Sequence, residues 1–268
     1  LLPIYNKPMI YYPLSTLMLG GIREYLIITN PSHLKLYQDL LGYGDNLGIN
    51  IRYKVQKKPE GLPQAFIIGE KFINNEPVCL NLGDHIFFGN DVNRLLKKNI
   101  NNFKKTTIFA YRYKKPNEYG VINLDKKNRP ISILEKPIKP KSNLIVCGLY
   151  IYDKNVVELS KNLKFSKRGE LEISDLNNLY LKNNTLNVEI IDKKNHWIDA
   201  GSPEKIFEAS KLIESIEKRK KSYIGFPEIA ALKKRYITIN NFTKLIRNYK
   251  GNHYGRILNT FLSKNFIN

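Results

Sequence analysis

Apolar residues recur along this chain in two patterns, one typical of amphipathic helices and one typical of buried strands. Helices are predicted where apolar residues are three and four positions apart, and strands where short apolar runs end at turn residues. The predicted helices are residues 11–19, 33–41, 62–73, 91–101, 156–163, 174–181 and 203–220. The predicted strands are residues 25–29, 49–55, 78–82, 107–113, 119–124, 131–135, 145–152 and 186–191. Such alternation predicts an α/β fold with a Rossmann-like mixed, mostly parallel sheet flanked by helices.

Two regions depart from this alternation. From residue 119 three strand-like runs follow one another without a helix between them, which predicts a small antiparallel lid region at the sheet edge. Beyond residue 222 three short apolar segments predict a small helical appendage. We therefore divide the chain into a main domain over residues 1–221 and a C-terminal appendage over residues 222–268.

The stretch V-C-L-N-L-G-D-H-I-F-F-G at residues 78–89 places an acid directly after a buried strand. Its apolar run ends at Gly83, and Asp84 follows. In open α/β sheets, ligands bind at the carboxyl ends of the strands. A carboxylate there can coordinate a hard cation, which in turn can hold nucleotide phosphates. The alternative is that Asp84 only caps the next turn.

The charge balance changes this picture little. The 268 residues include 44 Lys and Arg against 24 Asp and Glu, a formal net charge of +20. Nucleic-acid binders gather basic residues on one face with aromatic residues between them, whereas these lysines are scattered, as in K-K-N at residues 97–99. No apolar run approaches the ~20 residues that span a bilayer. We therefore expect neither a nucleic-acid nor a membrane partner.

The two cysteines indicate the redox environment. Cys79 and Cys147 both lie within apolar, strand-like runs. This position is typical of buried thiols in a reducing compartment, and no secretory signal is visible. The sequence therefore predicts a cytoplasmic protein.

Six short motifs follow one another along the chain. They are V-Q-K-K-P-E-G-L-P-Q-A at 55–65, L-G-D-H-I-F-F-G at 82–89, Y-G-V at 119–121, E-K-P at 135–137, R-G-E-L-E-I-S-D at 168–175 and W-I-D-A-G at 197–201. In this order and spacing, from residue 1 to about residue 228, the chain closely resembles the sugar-nucleotide pyrophosphorylases. The nearest group is the bacterial glucose-1-phosphate thymidylyltransferases, which begin dTDP-L-rhamnose synthesis for cell-envelope polysaccharide.

The resemblance implies a Mg²⁺-dependent enzyme that forms dTDP-glucose and pyrophosphate from dTTP and α-D-glucose 1-phosphate. It also implies a homo-oligomer, usually a tetramer. A phosphate oxygen attacks the α-phosphorus, and this nucleophile is already anionic at neutral pH. No Ser/His/Asp or Cys/His constellation is therefore needed, and the requirement is for cations that bring anions together.

Asp84 and Asp199 match the magnesium carboxylates of the resembling family, and Asp84 is also expected to contact substrate. Each follows a strand, so both are expected at one sheet edge. The alternative for Asp199 is a turn residue in D-A-G. His85 and Ala200 stand where these enzymes commonly have Asn and Thr, which we expect to alter metal geometry or rate.

The resemblance assigns two cationic residues to phosphate. Lys136 matches the lysine that binds the sugar phosphate. The ammonium group of a lysine is a point charge on a flexible side chain, which suits phosphate binding. Arg168 is expected to add a bidentate phosphate contact. For both, the alternative is a solvated surface side chain. Trp197 is expected to border the sugar as a packing residue.

The remaining predicted contacts surround the sugar and the base. Glu135 matches the acid that accepts hydrogen bonds from glucose hydroxyls. Tyr119 and Gly120 match the sugar-side wall, where glycine allows close backbone approach. Gln56 and Gly61 match the pair that reads the pyrimidine, although Gln56 could equally be an exposed strand end.

Members of the resembling family begin with a strand and a glycine-rich loop, G-G-x-G-T-R-L, and a Lys-Gln pair just before Leu-Leu-Pro. This chain starts at Leu-Leu-Pro, so we expect that strand and loop to be missing from it. Two other readings stay open. One is a pyrophosphorylase with another nucleotide or sugar 1-phosphate, such as UTP, and the other is a non-catalytic nucleotide-binding fragment.

Overall fold

The computed structural model of the chain describes residues 1–127, 129–220 and 222–266. Its helices are α1 (Tyr11–Gly20), α2 (Leu34–Leu41), α3 (Gln64–Ile68), α4 (Glu70–Ile73), α5 (Asn90–Asn101), α6 (Val156–Lys161), α7 (Ile173–Lys182), α8 (Pro203–Lys220), α9 (Pro227–Lys233), α10 (Ile239–Arg247) and α11 (His253–Phe266). Its strands are β1 (Pro3–Ile4), β2 (Lys7–Pro8), β3 (Glu24–Thr29), β4 (Asn50–Val55), β5 (Val78–Asn81), β6 (His85–Phe88), β7 (Thr106–Arg112), β8 (Gly120–Leu124), β9 (Pro130–Glu135), β10 (Leu144–Tyr152), β11 (Leu186–Ile190) and β12 (His196–Asp199). The α/β class with a mixed sheet is confirmed.

Strand β10 is the centre of the largest sheet. All of its residues are buried, as its nearly continuous apolar sequence L-I-V-C-G-L-Y-I-Y requires. It pairs with β7 on one side and with β5 and β8 on the other. The sequence placed this run in the lid region, and that placement is wrong. Of the three runs predicted to form the lid, β8 and β9 form an antiparallel pair at the sheet edge.

The prediction of a mostly parallel sheet also needs correction. Within the described residues only two pairs are parallel, β3 with β4 and β7 with β11. The pairings of β10 with β5, β7 and β8, of β8 with β9 and of β6 with β12 are antiparallel. The β8–β9 pair is antiparallel because these strands are consecutive and joined by a short turn. The other antiparallel pairs join strands that are not consecutive in the sequence, and their relative direction depends on the path of the whole chain.

Two irregularities bring chain segments to the site described below. The register of β10 shifts between Val146 and Tyr150, where Gly148 has a φ of 73°. A glycine in the left-handed region at a bulge bends a strand and re-aims its neighbours. The second irregularity is β6, which begins at His85 and was not among the predicted strands. The helix predicted over residues 62–73 is also divided, into α3 and α4 at Gly69.

The β3–β4 pair is separate from the six-stranded sheet. A cavity of about 570 Å³ lies between β3 and β5, and its lining is mainly apolar, with Leu26, Phe66 and Leu80 among its residues. Such a lining suits packing rather than phosphate binding.

The three segments after residue 222 are helical, as α9, α10 and α11. Phe226, Phe242 and Phe261 from this region lie in one hydrophobic cluster with Leu14 of α1 and Ile51 of β4. The appendage therefore shares its core with the main domain. The division at residue 221 stays a prediction, and residue 221 itself lies outside the described residues.

Two simpler expectations can be compared directly with the structure. Cys147 is buried, Cys79 is half-buried, and both are free thiols, which confirms that they do not form a disulfide. Among the described helices, none is both long enough and apolar enough to cross a bilayer.

Candidate active site

Most of the predicted site residues line one cleft of about 360 Å³. They are Asp84, Tyr119, Gly120, Glu135, Lys136, Arg168 and Asp199. They come from turns and strand ends that are far apart in the sequence, so the fold alone brings them together.

Asp84 and Asp199 are neighbours because β6 and β12 pair antiparallel, with Asp199 opposite His85. The backbone N–H of Ala200 donates to the Asp84 carbonyl at 2.8 Å and closes this pair of strands. One ligand atom from each acid and one from His85 lie within 4.8 Å of one another. The two acids thus meet as expected, through an antiparallel ladder rather than through the ends of parallel strands.

The carboxylate of Asp199 is held by several donors. Its Oδ2 accepts hydrogen bonds from the Tyr119 hydroxyl and from Lys205 Nζ, both at 2.7 Å. Its Oδ1 accepts from the Gly201 N–H at 2.8 Å. Burial opposes ionisation, but these hydrogen bonds outweigh it and lower the pKa of Asp199. The carboxylate is therefore ionised at neutral pH and fixed in orientation.

Tyr119 and Trp197 form the wall behind this carboxylate. Burial raises the pKa of Tyr119, so its hydroxyl stays protonated and donates to Asp199. The Trp197 ring packs edge-on against Tyr119, with centroids 5.3 Å apart, and its indole N–H donates to the Cys147 carbonyl. Trp197 lies behind the cleft and is not among its lining residues. Its contact with the sugar stays a prediction.

Lys205 is a site residue that the sequence reasoning missed. Its Nζ lies 2.7 Å from Asp199 Oδ2 and 3.0 Å from both Glu118 Oε2 and the Tyr119 hydroxyl oxygen. Burial opposes the charge, but hydrogen bonds to these three acceptors raise the pKa of Lys205. One feature of the sequence could have indicated this role. Lys205 lies in the first turn of α8, and the side chains of a helix lean toward its N-terminus, which here brings Nζ to Asp199.

Glu135 forms a polar wall with Ser174. The Ser174 hydroxyl donates to Glu135 Oε2. A Cβ added at Gly120 would lie 2.9 Å from that hydroxyl oxygen, so glycine permits this close approach. Burial raises the pKa of Glu135 against the hydrogen bond from Ser174. This carboxylate can accept further hydrogen bonds from a polyhydroxylated ligand.

Lys136 has a strained backbone. Its φ is 41°, in the left-handed region that a non-glycine residue seldom adopts, and Pro137 follows it. Its N–H donates to the Tyr119 carbonyl at 3.1 Å, which holds this turn against the cleft. Strained residues concentrate at functional sites. The side chain itself is exposed and lines the cleft.

Arg168 lies among carboxylates. Its guanidinium nitrogens lie 3.9 Å from Glu135 Oε1, 3.6 Å from Glu172 Oε1 and 3.4 Å from Glu170 Oε2. Its side chain is exposed at the cleft wall. A phosphate that binds Arg168 therefore competes with these acids for the guanidinium.

Gln56 and Gly61 do not line the cleft. The Gln56 side-chain amide donates to Gln64 at 2.5 Å. Gly61 has a φ of 103° and pairs with Leu171, whose carbonyl oxygen would lie 2.1 Å from an added Cβ. Gly61 thus attaches its loop to the Arg168 segment, and the reading of a base by this pair stays a prediction.

The cleft residues suit a divalent cation. Six carboxylates and three cationic side chains line the cleft: Asp84, Glu118, Glu135, Glu170, Glu172 and Asp199 against Lys136, Arg168 and Lys205. A Cβ at Gly201 would lie 2.9 Å from Asp199 Oδ1 and 3.2 Å from Asp84 Oδ2, so glycine leaves room for the two oxygens to converge. Carboxylate oxygens are the ligands that hard divalent ions prefer. Asp84 and Asp199 would hold such an ion.

Sequence comparison defines the class. Residues 1–216 match the family model described as nucleotidyl transferase. The chain belongs to this nucleotidyl transferase family. Within it, the chain is similar to glucose-1-phosphate thymidylyltransferases: that of Neisseria meningitidis is 45% identical over 98% of this chain and 92% of that protein. The enzyme of the same description from Mycobacterium tuberculosis is 39% identical over 99% of this chain and 92% of that protein.

Solved structures agree with this assignment. A Bacillus anthracis protein described as a glucose-1-phosphate thymidylyltransferase, in complex with sucrose, is 35% identical with a TM-score of 0.73. The match covers 79% of this chain and 85% of that chain. A UDP-glucose pyrophosphorylase bound to UDP-glucose has a TM-score of 0.70 at 24% identity, over 80% of this chain and 89% of that one, and shows a shared fold alone.

Proposed function

We propose that this nucleotidyl transferase joins dTTP to α-D-glucose 1-phosphate and forms dTDP-glucose and pyrophosphate. The observation that carries the proposal is the meeting of Asp84 and Asp199 in a cleft that Lys136 and Arg168 also line. The similarity to glucose-1-phosphate thymidylyltransferases supports this choice of substrates.

The proposed reaction is an in-line displacement. A phosphate oxygen of glucose 1-phosphate attacks the α-phosphorus of dTTP, and a new P–O bond forms while the bond to the β-phosphate oxygen breaks. Pyrophosphate leaves with that electron pair. The nucleophile is anionic at neutral pH, so no side chain has to remove a proton. The barrier is the approach of like charges, which positioned cations lower.

The charges of the cleft argue for an added cation. Six carboxylates against three cationic side chains repel a triphosphate and a sugar phosphate. We propose Mg²⁺ as the ion and Asp84 and Asp199 as the residues that hold it. When bound, the ion supplies positive charge that neutralises phosphate oxygens.

In this proposal, the other site residues contact different parts of the two substrates. Lys136 contacts the sugar phosphate, and Arg168 exchanges carboxylate partners for a phosphate. Glu135, oriented by Ser174, accepts hydrogen bonds from the sugar hydroxyls. Tyr119 orients Asp199 through its 2.7 Å hydrogen bond.

Further parts of the proposal rest on the family resemblance. Gln56 and Gly61 read the pyrimidine base, and Trp197 borders the sugar. The enzyme is a cytoplasmic homo-oligomer, a tetramer by analogy, and it begins dTDP-rhamnose synthesis.

The test is a pyrophosphate-release assay on the purified protein with glucose 1-phosphate, Mg²⁺ and either dTTP or UTP at equal concentrations. We expect release with dTTP to exceed release with UTP. A preference for UTP would reassign the nucleotide and keep the reaction class. No release with either nucleotide, from a folded protein, would support a non-catalytic nucleotide-binding protein.

A further inference from the structure

The ring of His85 is fixed from one side beside the two acids. The residue is 7% exposed and packs on the bulge of β10, where a Cβ added at Gly148 would lie 2.2 Å from Nδ1. Nδ1 lies 2.9 Å from the carbonyl oxygen of Cys147. The indole N–H of Trp197 lies 3.3 Å from Nδ1 and 3.0 Å from the same carbonyl oxygen. Because that oxygen only accepts hydrogen bonds and is the nearer neighbour of both donors, these contacts favour a proton on Nδ1, with Trp197 donating to the carbonyl.

The other ring nitrogen, Nε2, is then a free lone-pair donor at the carboxylates. Its charged neighbour is Asp84 Oδ1, at 3.9 Å, which is beyond hydrogen-bond distance. Nε2 makes no hydrogen bond to any part of the chain that the structure describes. His85 lines the cleft, so this ring nitrogen lies at the cleft surface next to two carboxylates, where it can bind a ligand held between them.

We propose that His85 Nε2 is a third protein ligand of the divalent ion, beside Asp84 and Asp199. The consequence is a site that binds Co²⁺ more tightly than Mg²⁺, because imidazole nitrogen suits the later first-row ions while Mg²⁺ prefers oxygen. The Cys147 carbonyl provides the outer hydrogen bond that a ligating histidine makes through its second nitrogen. The inference rests on the divalent-cation site of the proposed function.

Asp84 is the ligand that adjusts when an ion enters. Metal–ligand distances are roughly 2.0–2.2 Å, so atoms within 4.8 Å of one another have to draw closer. His85 is fixed by its burial, and Asp199 by three hydrogen bonds. The Asp84 side chain is 44% exposed on the turn between β5 and β6 and makes no hydrogen bond to the described residues. Gly201 leaves space for its oxygen to approach Asp199.

The test uses the purified protein and metal ions alone, without substrates. On addition of one equivalent of Co²⁺ we expect a hyperfine-shifted proton signal that exchanges with solvent, the Nδ1–H of a Co²⁺-bound imidazole. Titration calorimetry should give tighter binding for Co²⁺ than for Mg²⁺. His85→Asn should remove the shifted signal and weaken Co²⁺ binding at least about tenfold, while Mg²⁺ binding changes less than about threefold.

The matched control is His33→Asn, at an exposed histidine outside the cleft, which should keep both the signal and the affinities. A shifted signal in wild-type protein supports the proposal even if the His85 variant does not fold. Co²⁺ binding without an exchangeable shifted signal, or equal weakening of Mg²⁺ and Co²⁺ in His85→Asn, would overturn it. Metal binding by this mode in a protein that releases no pyrophosphate would leave the ligand assignment standing and reject only the proposed reaction.

Discussion

Nζ of Lys205 lies 2.7 Å from Oδ2 of Asp199, so the chain's own ammonium group occupies one side of the proposed metal ligand. The lysine belongs to the first turn of α8, and the acid ends β12. A cation that binds Asp199 therefore meets a resident positive charge at close range. This contact links metal affinity to the position of one helix.

Replacing that ammonium group should strengthen metal binding. In Lys205→Met the repulsion between Nζ and a divalent ion is removed, and the aliphatic stem is kept. We expect Mg²⁺ and Mn²⁺ affinity to rise by roughly two- to fivefold, the size of a partly exposed ion-pair interaction. Titration calorimetry without substrates measures it. Lys211→Met, at an exposed position on the same helix, is the control. Weaker binding in Lys205→Met would mean that Lys205 orients Asp199 rather than competing for it.

Removing the charge of Asp199 should abolish most of the activity. Asp199→Asn keeps the size of the side chain but loses the anionic ligand, and we expect pyrophosphate release to fall by about 10²-fold or more. Asp39→Asn is the control, because Asp39 is exposed, lies outside the cleft and pairs with Lys35 on α2. Near-normal turnover in folded Asp199→Asn would exclude Asp199 as a metal ligand.

Gly201 should be needed for the convergence of the two acids. Its added Cβ would lie 2.9 Å from Asp199 Oδ1 and 3.2 Å from Asp84 Oδ2. Gly201→Ala should therefore lower metal affinity and turnover by about tenfold, since metal sites tolerate little ligand displacement. Gly83→Ala is the control, because an added Cβ there meets nothing within 4 Å. Equal effects of the two substitutions would show that backbone stiffness, not ligand spacing, matters.

The buried carboxyl of Glu228 should make stability depend on pH. It accepts hydrogen bonds from the hydroxyls of Tyr249 and Tyr254, and burial raises its pKa above 4.5. The folded state then holds the proton more tightly than the unfolded chain. The free energy of unfolding therefore falls as pH rises from 4.5 through the folded-state pKa, and the loss of stability is complete above that pKa.

Glu228→Gln should remove this loss of stability at high pH. Tyrosine hydroxyls can donate or accept, so the amide can keep both contacts. We expect Tm at pH 8 to rise by about 2–4 °C, which corresponds to ~1 kcal/mol in a protein of this size. The gain should vanish at pH 4.5. Thermal melts of both proteins across this range measure it, and a gain that is independent of pH would contradict the assignment to Glu228.

The C-terminal helices should unfold together with the main domain. Phe242 of α10 is fully buried in the cluster that includes Leu14 and Ile51. Phe242→Ala should lower the free energy of unfolding by about 3–5 kcal/mol in a single urea transition. Phe207→Ala, at a side chain that is 59% exposed, should change it by less than about 0.5 kcal/mol. Two separate transitions would instead define an independent appendage.

Local sequence determined the elements and the residue types of the site. The spacing of apolar residues is a property of each segment, so it located α1, α5, α8 and β11 to within a few residues. The placement of Asp84 and Asp199 directly after apolar runs was also visible in the sequence. So were the helical segments beyond residue 222, because their periodicity does not depend on what they pack against.

Only the tertiary structure decided which segments meet. Periodicity reports whether a residue is buried but not which strand lies beside it, so β10 was taken for part of a lid rather than the centre of the sheet. The antiparallel pairing of β6 with β12 brings Asp84 and Asp199 together, and the His85 ring packs against the bulge at Gly148. Lys205 reaches Asp199 because α8 starts beside the end of β12. Such contacts depend on the closure of the whole chain, and for that reason no local pattern contains them.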